Sequence, residues 1–399
     1  MIVRVTGRPT DLFEQDVKWR TDEIRQHVGS RRILVLGGGG SIGSSTVGLI
    51  SQFKPAALHV IDQNENALTE LVRDLRSRRE GLQVNDFVAL PIDFASPIMR
   101  RFIESQAAYD IVLNFAALKH VRSEKDIFSL LQMFDTNLIK PLKCWEWLCR
   151  RGAPPQYFSV STDKAAAPAS LMGASKRLME NIMFSAAMSG SPRITSARFA
   201  NVAFSSGSLL ESFGRRFERL QPLVAPRQTY RFFVSLREAG QICTLAAMCG
   251  PDRHIVIPRL SPRTDTRRLE DIAVAFIEWK GFDPSIYDDE ESARANLARD
   301  LARNRYPLLL TDLDTAGEKA CEIFVASGEQ MIECGMSSLL AVRHLPADER
   351  TLSDFIAKIR ALTSEPSAGI EKRNLIELVS AVLPEFHHAD SDKVLDQRM

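Results

Sequence analysis

The chain has 399 residues, a net charge of +1, 45% hydrophobic residues and 25% charged residues, which is an ordinary globular composition. This balance gives no reason to expect a nucleic-acid partner, and no stretch has the roughly 18 uncharged apolar residues that span a bilayer. No two of the six cysteines form a Cys-x-x-Cys pair, and the seven histidines lack metal-site spacing. We therefore expect a cytoplasmic, metal-free protein, without a signal peptide because acidic residues interrupt the first thirty positions.

Residues 1–30 are predicted to form an N-terminal helical arm. Between residues 11 and 28, apolar side chains recur at roughly helical spacing among charged ones. We expect this helix to pack on the main domain or on a second subunit.

The clearest phosphate-binding pattern follows the arm. Residues 31–36 (RRILVL) predict a buried strand, residues 37–43 (GGGGSIG) a tight turn, and residues 44–51 the start of a helix. Glycines there would let a pyrophosphate approach the amides at the helix N-terminus. A lone glycine motif is also typical of a flexible turn, but a strand before it and a helix after it favour the binding role. The candidate cofactor-binding residues of this turn are Gly37, Gly40, Ser41, Ile42 and Gly43.

Two acids follow the next two predicted strands. Residues 57–61 end in Asp62, about twenty residues past the glycines, where a carboxylate takes the ribose hydroxyls of NAD. Because no arginine follows closely to receive a 2′-phosphate, we expect NAD rather than NADP. The strand at 87–90 leads to Asp93, which would either contact the adenine or cap a helix over 96–104.

A fourth predicted strand, residues 109–115, runs into small side chains. Ala116 and Ala117 would let a flat ring lie against the backbone, and they are assigned to cofactor binding. Lys119 and His120 would point positive and polar groups into the same crevice, although a solvated loop explains this pair equally well. A long helix is predicted over 129–149, and its Asn137 would hold backbone near the site or lie exposed.

The strand predicted over 156–160 (QYFSV) leads into Thr162, Asp163 and Lys164. A hydroxyl, a carboxylate and an amine at a strand end can bind a sugar and move its protons. The alternative is a polar loop that caps the next helix.

Beta-alpha units recur to about residue 200, which predicts an α/β fold: a Rossmann-type doubly wound parallel sheet with helices on both faces. Ligands bind such sheets at the carboxyl ends of the strands, where the glycine turn, Asp62, residues 116–120 and residues 162–164 all fall. The predicted domains are the arm (1–30), an NAD-binding domain (31–200, with segments near 232–260 returning to it), a mainly substrate-binding smaller domain (201–350) and a C-terminal helical tail (351–399).

Five segments in order carry a family resemblance: the glycine turn, AALKHV, STDKAAAPASLMGASKR, RFANVAFSSGS and GEK. Over roughly residues 31–325 the chain resembles the extended short-chain dehydrogenase/reductase superfamily and, within it, the nucleotide-sugar 4,6-dehydratases of bacterial polysaccharide biosynthesis. It looks most like the soluble, configuration-retaining UDP-N-acetylglucosamine 4,6-dehydratases that feed legionaminic-type sugar pathways.

The resemblance implies catalytic roles. Lys176 would bind the nicotinamide ribose and support hydride transfer. Most of the superfamily has a tyrosine base four residues before that lysine, whereas this chain has Met172, which cannot take a proton and resembles the retaining dehydratases. Thr162 would then help the C4 hydroxyl lose its proton.

The elimination itself needs an acid and a base. Lys164, if burial and the nearby Lys176 lower its pKa, would abstract the C5 proton. Asp163, if its pKa is raised, would protonate the departing C6 hydroxyl. The product would be a 4-keto-6-deoxy sugar with the C5 configuration retained.

The nucleotide-sugar substrate is expected to meet five side chains: Lys119, His120, Asn201, Arg231 and Glu318. Relatives usually carry Arg-Pro-Gly-Glu-Lys where this chain has TAGEK at 315–319, so a phosphate contact is missing or comes from another arginine. The alternatives are a sugar-nucleotide epimerase or C4 oxidoreductase, and a non-catalytic NAD-binding scaffold. Because superfamily members pair through helices, here 129–149 and 173–189, we expect a homo-oligomer.

Overall fold

The computed structural model describes residues 1–119, 124, 126–312, 321–364 and 371–388. Its α-helices are α1 (Ile2–Thr6), α2 (Glu14–Trp19), α3 (Thr21–Val28), α4 (Ser41–Ile50), α5 (Glu65–Ser77), α6 (Pro97–Ser105), α7 (Ile127–Phe134), α8 (Lys140–Cys149), α9 (Leu171–Phe184), α10 (Leu209–Glu218), α11 (Leu236–Cys249), α12 (Leu269–Trp279), α13 (Glu290–Ala295), α14 (Leu297–Leu301), α15 (Glu349–Ser364) and α16 (Lys372–Val382). Its strands are β1 (Arg32–Leu36), β2 (Ala57–Ile61), β3 (Asp86–Leu90), β4 (Ile111–Asn114), β5 (Gln156–Val160), β6 (Ile194–Ala197), β7 (Asn201–Val202), β8 (Leu223–Pro226), β9 (Tyr230–Val234), β10 (His254–Pro258), β11 (Thr266–Arg268), β12 (Asp283–Tyr287), β13 (Arg305–Thr311), β14 (Gln330–Glu333) and β15 (Leu339–Arg343).

The main sheet has the strand order β14-β15-β10-β6-β5-β4-β1-β2-β3. Every pair from β3 to β10 is parallel, and β15 and β14 continue the sheet antiparallel. The order 3-2-1-4-5-6 is that of the doubly wound Rossmann sheet. The predicted α/β fold class is therefore confirmed.

Helices cover both faces of this sheet, as the apolar run of β1 requires. Ile33 and Val35 of β1 pack in one core cluster with residues of α4 and α11, whereas Leu34 and Leu36 pack in the opposite cluster with residues of α6 to α9. Side chains alternate along a strand, so a strand buried on both faces must be apolar throughout.

Beyond residue 200 the chain builds a second layer. Strands β12, β13 and β8 form a parallel three-stranded sheet. Helices α10 and α12 supply Phe213 and Phe276 to its core, which also contains Tyr306 of β13. Within the region assigned mainly to substrate binding, β15 instead pairs with β10 and β14 pairs with β15, at the edge of the main sheet.

The N-terminal arm consists of three short helices, α1 to α3. The helix expected over 11–28 is interrupted at Arg20, between α2 and α3. The arm packs against the main domain. Buried Asp16 accepts hydrogen bonds from the backbone amides of Ser337 and Ser338, each at 2.8 Å, which ties the arm to the residues preceding β15. In the described part of the chain, no helix combines the length and apolarity needed to cross a membrane.

Candidate functional site

Parallel packing brings the predicted site segments to one edge of the main sheet. Each segment directly follows a strand: residues 37–43 follow β1, Asp62 follows β2, Asp93 follows β3 and residues 116–119 follow β4. Thr162 to Lys164 follow β5 in the same way. Because these strands are parallel neighbours, their carboxyl ends line one crevice.

The glycine turn is shaped by close backbone contacts. Gly37 has a φ of +73°, and a Cβ there would lie 2.4 Å from the amide nitrogen of Ala116. A Cβ on Gly43 would lie 2.4 Å from the carbonyl oxygen of Gly37. At Gly40, the N-cap of α4, a Cβ would meet nothing nearer than the Gly37 oxygen at 3.5 Å. Packing within the protein therefore requires glycine at 37 and 43 but not at 40.

The neighbouring residues of the turn are held by polar contacts. Asp62 accepts a hydrogen bond from the Gly39 amide at 2.9 Å. The Ser41 hydroxyl accepts one from the Ser206 amide at 3.0 Å, so the loop after β7 closes over the start of α4. Ile42 packs partly buried against the core.

Asp93 has a different partner from the two that the sequence suggested. Its carboxylate is 2.5 Å from the ammonium of Lys140. The cap of α6 is Ser96, whose hydroxyl accepts the Met99 amide hydrogen bond at 3.1 Å. Asp93 is therefore not the cap of this helix. Contact between Asp93 and an adenine stays a prediction.

Asn137 holds the loop that follows β4. The expected long helix over 129–149 contains a π-helical turn, Asp135–Ile139, between α7 and α8. Buried within that turn, Asn137 accepts a hydrogen bond from the Leu118 amide at 2.9 Å and donates to the Leu118 carbonyl at 3.0 Å. It also donates to Ser175 on α9 at 2.9 Å. This side chain thus fixes Ala116 and Ala117 relative to α9.

Thr162, Asp163 and Lys164 form one hydrogen-bonded group. The Thr162 hydroxyl donates to Asp163 Oδ1 at 2.8 Å, and Lys164 Nζ donates to the same oxygen at 3.1 Å. Asp163 is only 2% exposed, and its Oδ2 atom has no hydrogen-bond partner among the described residues. A buried carboxylate oxygen without a partner marks a position where a ligand hydroxyl can bind.

A second acid lies beside this group. Buried Glu322 places Oε1 3.6 Å from Lys164 Nζ. Burial lowers the pKa of Lys164, but the charges of Asp163 and Glu322 outweigh burial and raise it above its ordinary value. The expected lowering by burial and Lys176 is therefore wrong for the ligand-free protein; the cation close enough to oppose the shift is Arg231.

Lys176 is buried one helical turn beyond Met172 on α9. Its ammonium donates to the Val160 carbonyl at 2.8 Å, at the end of β5. Desolvation lowers the pKa of Lys176 to about 8, although Glu180 opposes the shift. Met172 is also buried, and its amide donates to the carboxylate of Glu124 at 2.9 Å.

A buried ionic network supports this helix. Arg198, which follows β6, donates to Glu180 of α9 at 2.7 Å and to Glu329 at 2.6 Å. Arg177 of α9 pairs with the same two glutamates. The network ties α9 to the segment that carries Glu322.

The expected substrate contacts are placed unevenly. Asn201 opens β7 and donates to the Phe232 carbonyl at 3.4 Å, and Arg231 lies buried on the adjacent β9. Lys119 is exposed at the end of its loop. His120 and Glu318 lie outside the described residues.

Sequence reasoning missed Glu322, Glu124 and the network around Arg198. The only sequence signal for Glu322 is its position shortly after the GEK motif. Glu124 and Arg198 carry no local pattern, because their partners come from distant segments.

The fold and the strand-end site define a Rossmann-type α/β protein with a glycine turn and a Thr-Asp-Lys group in one crevice. The chain belongs to the family described as polysaccharide biosynthesis protein, whose model matches residues 33–339.

Three curated relatives show the range of similarity. An uncharacterized membrane protein of Methanocaldococcus jannaschii is 31% identical over 64% of this chain and 73% of its own. The probable polysaccharide biosynthesis protein EpsC of Bacillus subtilis is 26% identical over 70% of this chain, which spans only 46% of that relative. A UDP-N-acetylglucosamine 4,6-dehydratase (inverting) of Campylobacter jejuni is 25% identical over 61% of this chain and 70% of its own.

Solved structures share the fold at low identity. Pen from Bacillus thuringiensis has a TM-score of 0.60 and 19% identity over 79% of this chain and 86% of its own. WbmF of Bordetella bronchiseptica, in complex with NAD+ and UDP, has a TM-score of 0.51 and 16% identity over 69% of this chain and 88% of its own. A UDP-N-acetylglucosamine 4-epimerase of Methanobrevibacter ruminantium has a TM-score of 0.54 and 13% identity over 84% of this chain and 99% of its own.

Proposed function

We propose that the chain is a nucleotide-sugar 4,6-dehydratase that uses NAD and converts UDP-N-acetylglucosamine to a UDP-4-keto-6-deoxy sugar. The observation that carries this proposal is the group formed by Thr162, Asp163 and Lys164 at the end of β5, with one carboxylate oxygen buried and without a partner. Elimination of water needs an acid and a base side by side, and this group supplies both.

The glycine turn fits a dinucleotide. Gly40 has room for a Cβ in the protein itself, so its glycine is explained by a ligand that approaches the backbone at the start of α4. Asp62 would take the ribose hydroxyls, and Lys176 would bind the nicotinamide ribose. NAD, when bound, would accept a hydride from C4 of the sugar and return it to C6.

Thr162 is placed to relay the first proton. Its hydroxyl already donates to Asp163, so it can accept a proton from the C4 hydroxyl of the sugar while passing its own to the carboxylate. Asp163 then becomes a neutral acid, ready to protonate the C6 hydroxyl as it leaves as water.

Neutralising Asp163 changes Lys164. One of the two carboxylate charges that raise the pKa of Lys164 disappears, which lets the partly exposed ammonium release a proton to solvent. Neutral Lys164 then removes the C5 proton, returns it to the same face of C5 after water has left, and regains a proton from solvent. The proton from the C4 hydroxyl therefore ends in the water.

Two further features support parts of the proposal. Met172 in place of a tyrosine resembles the retaining dehydratases, so we propose retention at C5. Arg231 lies near Lys164, and we propose that it binds the substrate diphosphate, with Asn201 and Lys119 as further substrate contacts. His120 and Glu318 remain proposed contacts outside the described residues.

The test is incubation with UDP-N-acetylglucosamine, followed by mass and proton NMR spectra of the product. Loss of one water, with a new C6 methyl and a C4 ketone, is expected, and the C5 coupling pattern tests retention. A product of unchanged mass with inverted C4 would establish an epimerase instead. Substrate returned unchanged by protein that binds NAD would favour the scaffold, once GDP- and dTDP-linked sugars had also failed.

Thr162→Val and Thr162→Ser form a matched pair for the relay. The valine variant should lose about a hundredfold in kcat because it has no hydroxyl, whereas the serine variant should retain most activity. Equal activity of the two variants would remove Thr162 from the mechanism.

A further inference from the structure

The C-terminal helices cover the faces of α7, α8 and α9. Leu352, Phe355 and Ile359 are buried on α15, and they belong to the same apolar cluster as residues of α7, α8 and α9. The rings of Phe355 and Phe134 of α7 are 6.4 Å apart. Helix α16 adds a second buried stripe, formed by Leu375, Val379 and Val382.

Polar contacts at the edge of this apolar interface position helix α15. Arg360 of α15 donates to Glu146 of α8 at 3.0 Å. At the other end of α15, Glu349 accepts a hydrogen bond from the Ala186 amide, just beyond α9, at 3.2 Å. Helix α15 therefore has a polar contact near each end in addition to its apolar packing. Such contacts define its position and orientation on the face, which apolar packing alone does less specifically.

The end of the tail also reaches the start of α9. The His388 ring lies 3.4 Å from one carboxylate oxygen of Glu124, and the other oxygen accepts the Met172 amide at 2.9 Å. Both His388 and Glu124 are buried, with side chains 4% and 7% exposed. Glu124 therefore links His388 of the tail to the first turn of α9, the helix that carries Lys176.

We propose that residues 349–364 and 371–388 act within the same chain as the partner of the α7–α9 face, in place of a second copy of the protein, and that Glu124 is a positioning residue through which the tail holds the start of α9. The helices expected to pair two subunits are already covered. Any self-association must then use another surface. The role of α9 in catalysis rests on the proposed function, whereas the covering of the face does not.

Cross-linking distinguishes cover by the same chain from cover by a partner. Lys143 of α8 and Lys358 of α15 are exposed and flank the Arg360–Glu146 pair. In an equal mixture of unlabelled and ¹⁵N-labelled full-length enzyme, incubated to allow subunit exchange, a lysine cross-linker should join these residues only within one isotope. The yield should not change on dilution. Cross-links between labelled and unlabelled chains would show that the tail belongs to a partner and would overturn the proposal.

A pair of charge substitutions on α15 tests the covering itself. Phe355→Glu places a charge in the buried stripe, whereas Ser353→Glu places the same charge on the exposed side of the helix. The first variant should show faster amide exchange in α7 and α8 and a mass that rises with concentration; the second should match the parent. A Phe355→Glu protein with unchanged exchange and mass would contradict the proposal.

Exchange at the Met172 amide tests the link to α9 without any substrate. Glu124→Ala should speed exchange there by about fivefold or more, because the acceptor is lost. Glu124→Gln keeps an acceptor oxygen and should restore protection, and His388→Ala should give an intermediate rate. Equal exchange in all three variants would remove the positioning role. Failure of sugar turnover with these exchange differences intact would instead count against the proposed function alone.

Discussion

Glu322 and Lys164 form an ion pair at 3.6 Å, in which the glutamate is buried and the lysine is partly exposed, although they come from distant parts of the chain. Lys164 thereby faces two carboxylates, Asp163 and Glu322, inside the crevice. We expect the ligand-free enzyme to hold this lysine as a cation, which makes loss of its proton a controlled step of the reaction.

Replacing Glu322 should therefore move the pH dependence of activity. Glu322→Gln removes a charge that raises the pKa of Lys164, so the pH limb of kcat/KM that reports this lysine should move to lower pH. The measurement is the pH–rate profile from pH 6 to pH 10. A matched exposed change, Glu333→Gln on β14, should leave the profile in place, and an unshifted limb in the Glu322 variant would argue against the ion pair.

Substitutions at two glycines of the turn should affect cofactor binding and protein stability separately. Gly40→Ala should fold normally but bind NADH about tenfold more weakly, because its Cβ has space in the protein and enters the path of a pyrophosphate. Gly43→Ala should instead lose about 1 to 3 kcal/mol of stability, since its Cβ would meet the Gly37 carbonyl. Fluorescence titration with NADH and NADPH and thermal melts measure both effects. Normal NADH affinity of Gly40→Ala would contradict the proposed pyrophosphate site.

Buried Lys176 should lower the stability of the fold. Desolvation lowers its pKa from 10.5 to about 8, which corresponds to about 3 kcal/mol of unfavourable free energy at neutral pH. Lys176→Met should therefore raise Tm at pH 7 while abolishing turnover. The unfolded lysine stays protonated up to its ordinary pKa, so wild-type stability rises between pH 8 and pH 10.5 and the advantage of the variant should shrink.

Lys140→Met is the control for that experiment. Lys140 pairs with Asp93 at 2.5 Å and is partly exposed, so its loss should give no stabilisation at pH 7. A Lys176→Met protein that is less stable than wild type at pH 7 would show that the ammonium is well solvated in the folded state.

Glu329 should make the fold sensitive to acid. Burial raises the pKa of this carboxyl, but hydrogen bonds and charges from Arg198 and Arg177 outweigh burial and lower it to about 2. Its contribution to stability is therefore present above about pH 4.5 and is lost as the pH falls towards 2. Glu329→Gln should cost about 3 kcal/mol at pH 7 and lose less stability than wild type between pH 5 and pH 2. Urea unfolding across this range measures the difference, and parallel curves would contradict the assigned role.

Several parts of the fold were readable from local pattern. The strands predicted at 57–61 and 156–160 match β2 and β5, because strands buried on both faces are mostly apolar. The long helix predicted over 129–149 is present as α7, a π-helical turn and α8, and only the π-helical turn was not foreseen, since it leaves no change in apolar periodicity. The parallel sheet of β8, β12 and β13 was also missed, because helices separate its strands along the chain.

The candidate site divides in the same way. Thr162, Asp163 and Lys164 are adjacent in sequence, so their proximity needed no tertiary information. Glu322 and Glu124 reach the site only through packing, and their charges have no local periodicity that a sequence reveals. Glu322 adds its charge to that of Asp163 in raising the pKa of Lys164, and only Asp163 was visible from the sequence.

The sequence alone determined the α/β class and predicted the edge of the sheet where the candidate site lies, because strand burial, glycine placement and strand-end polar residues act over a few neighbouring positions. Only the tertiary structure decided which charges surround Lys164 and which surface covers α7 to α9. These depend on contacts between distant segments: Glu322 beside Lys164, and Phe355 of the tail beside Phe134. Non-local contacts set burial and electrostatic environment, and these in turn set the pKa values and the interfaces available to the protein.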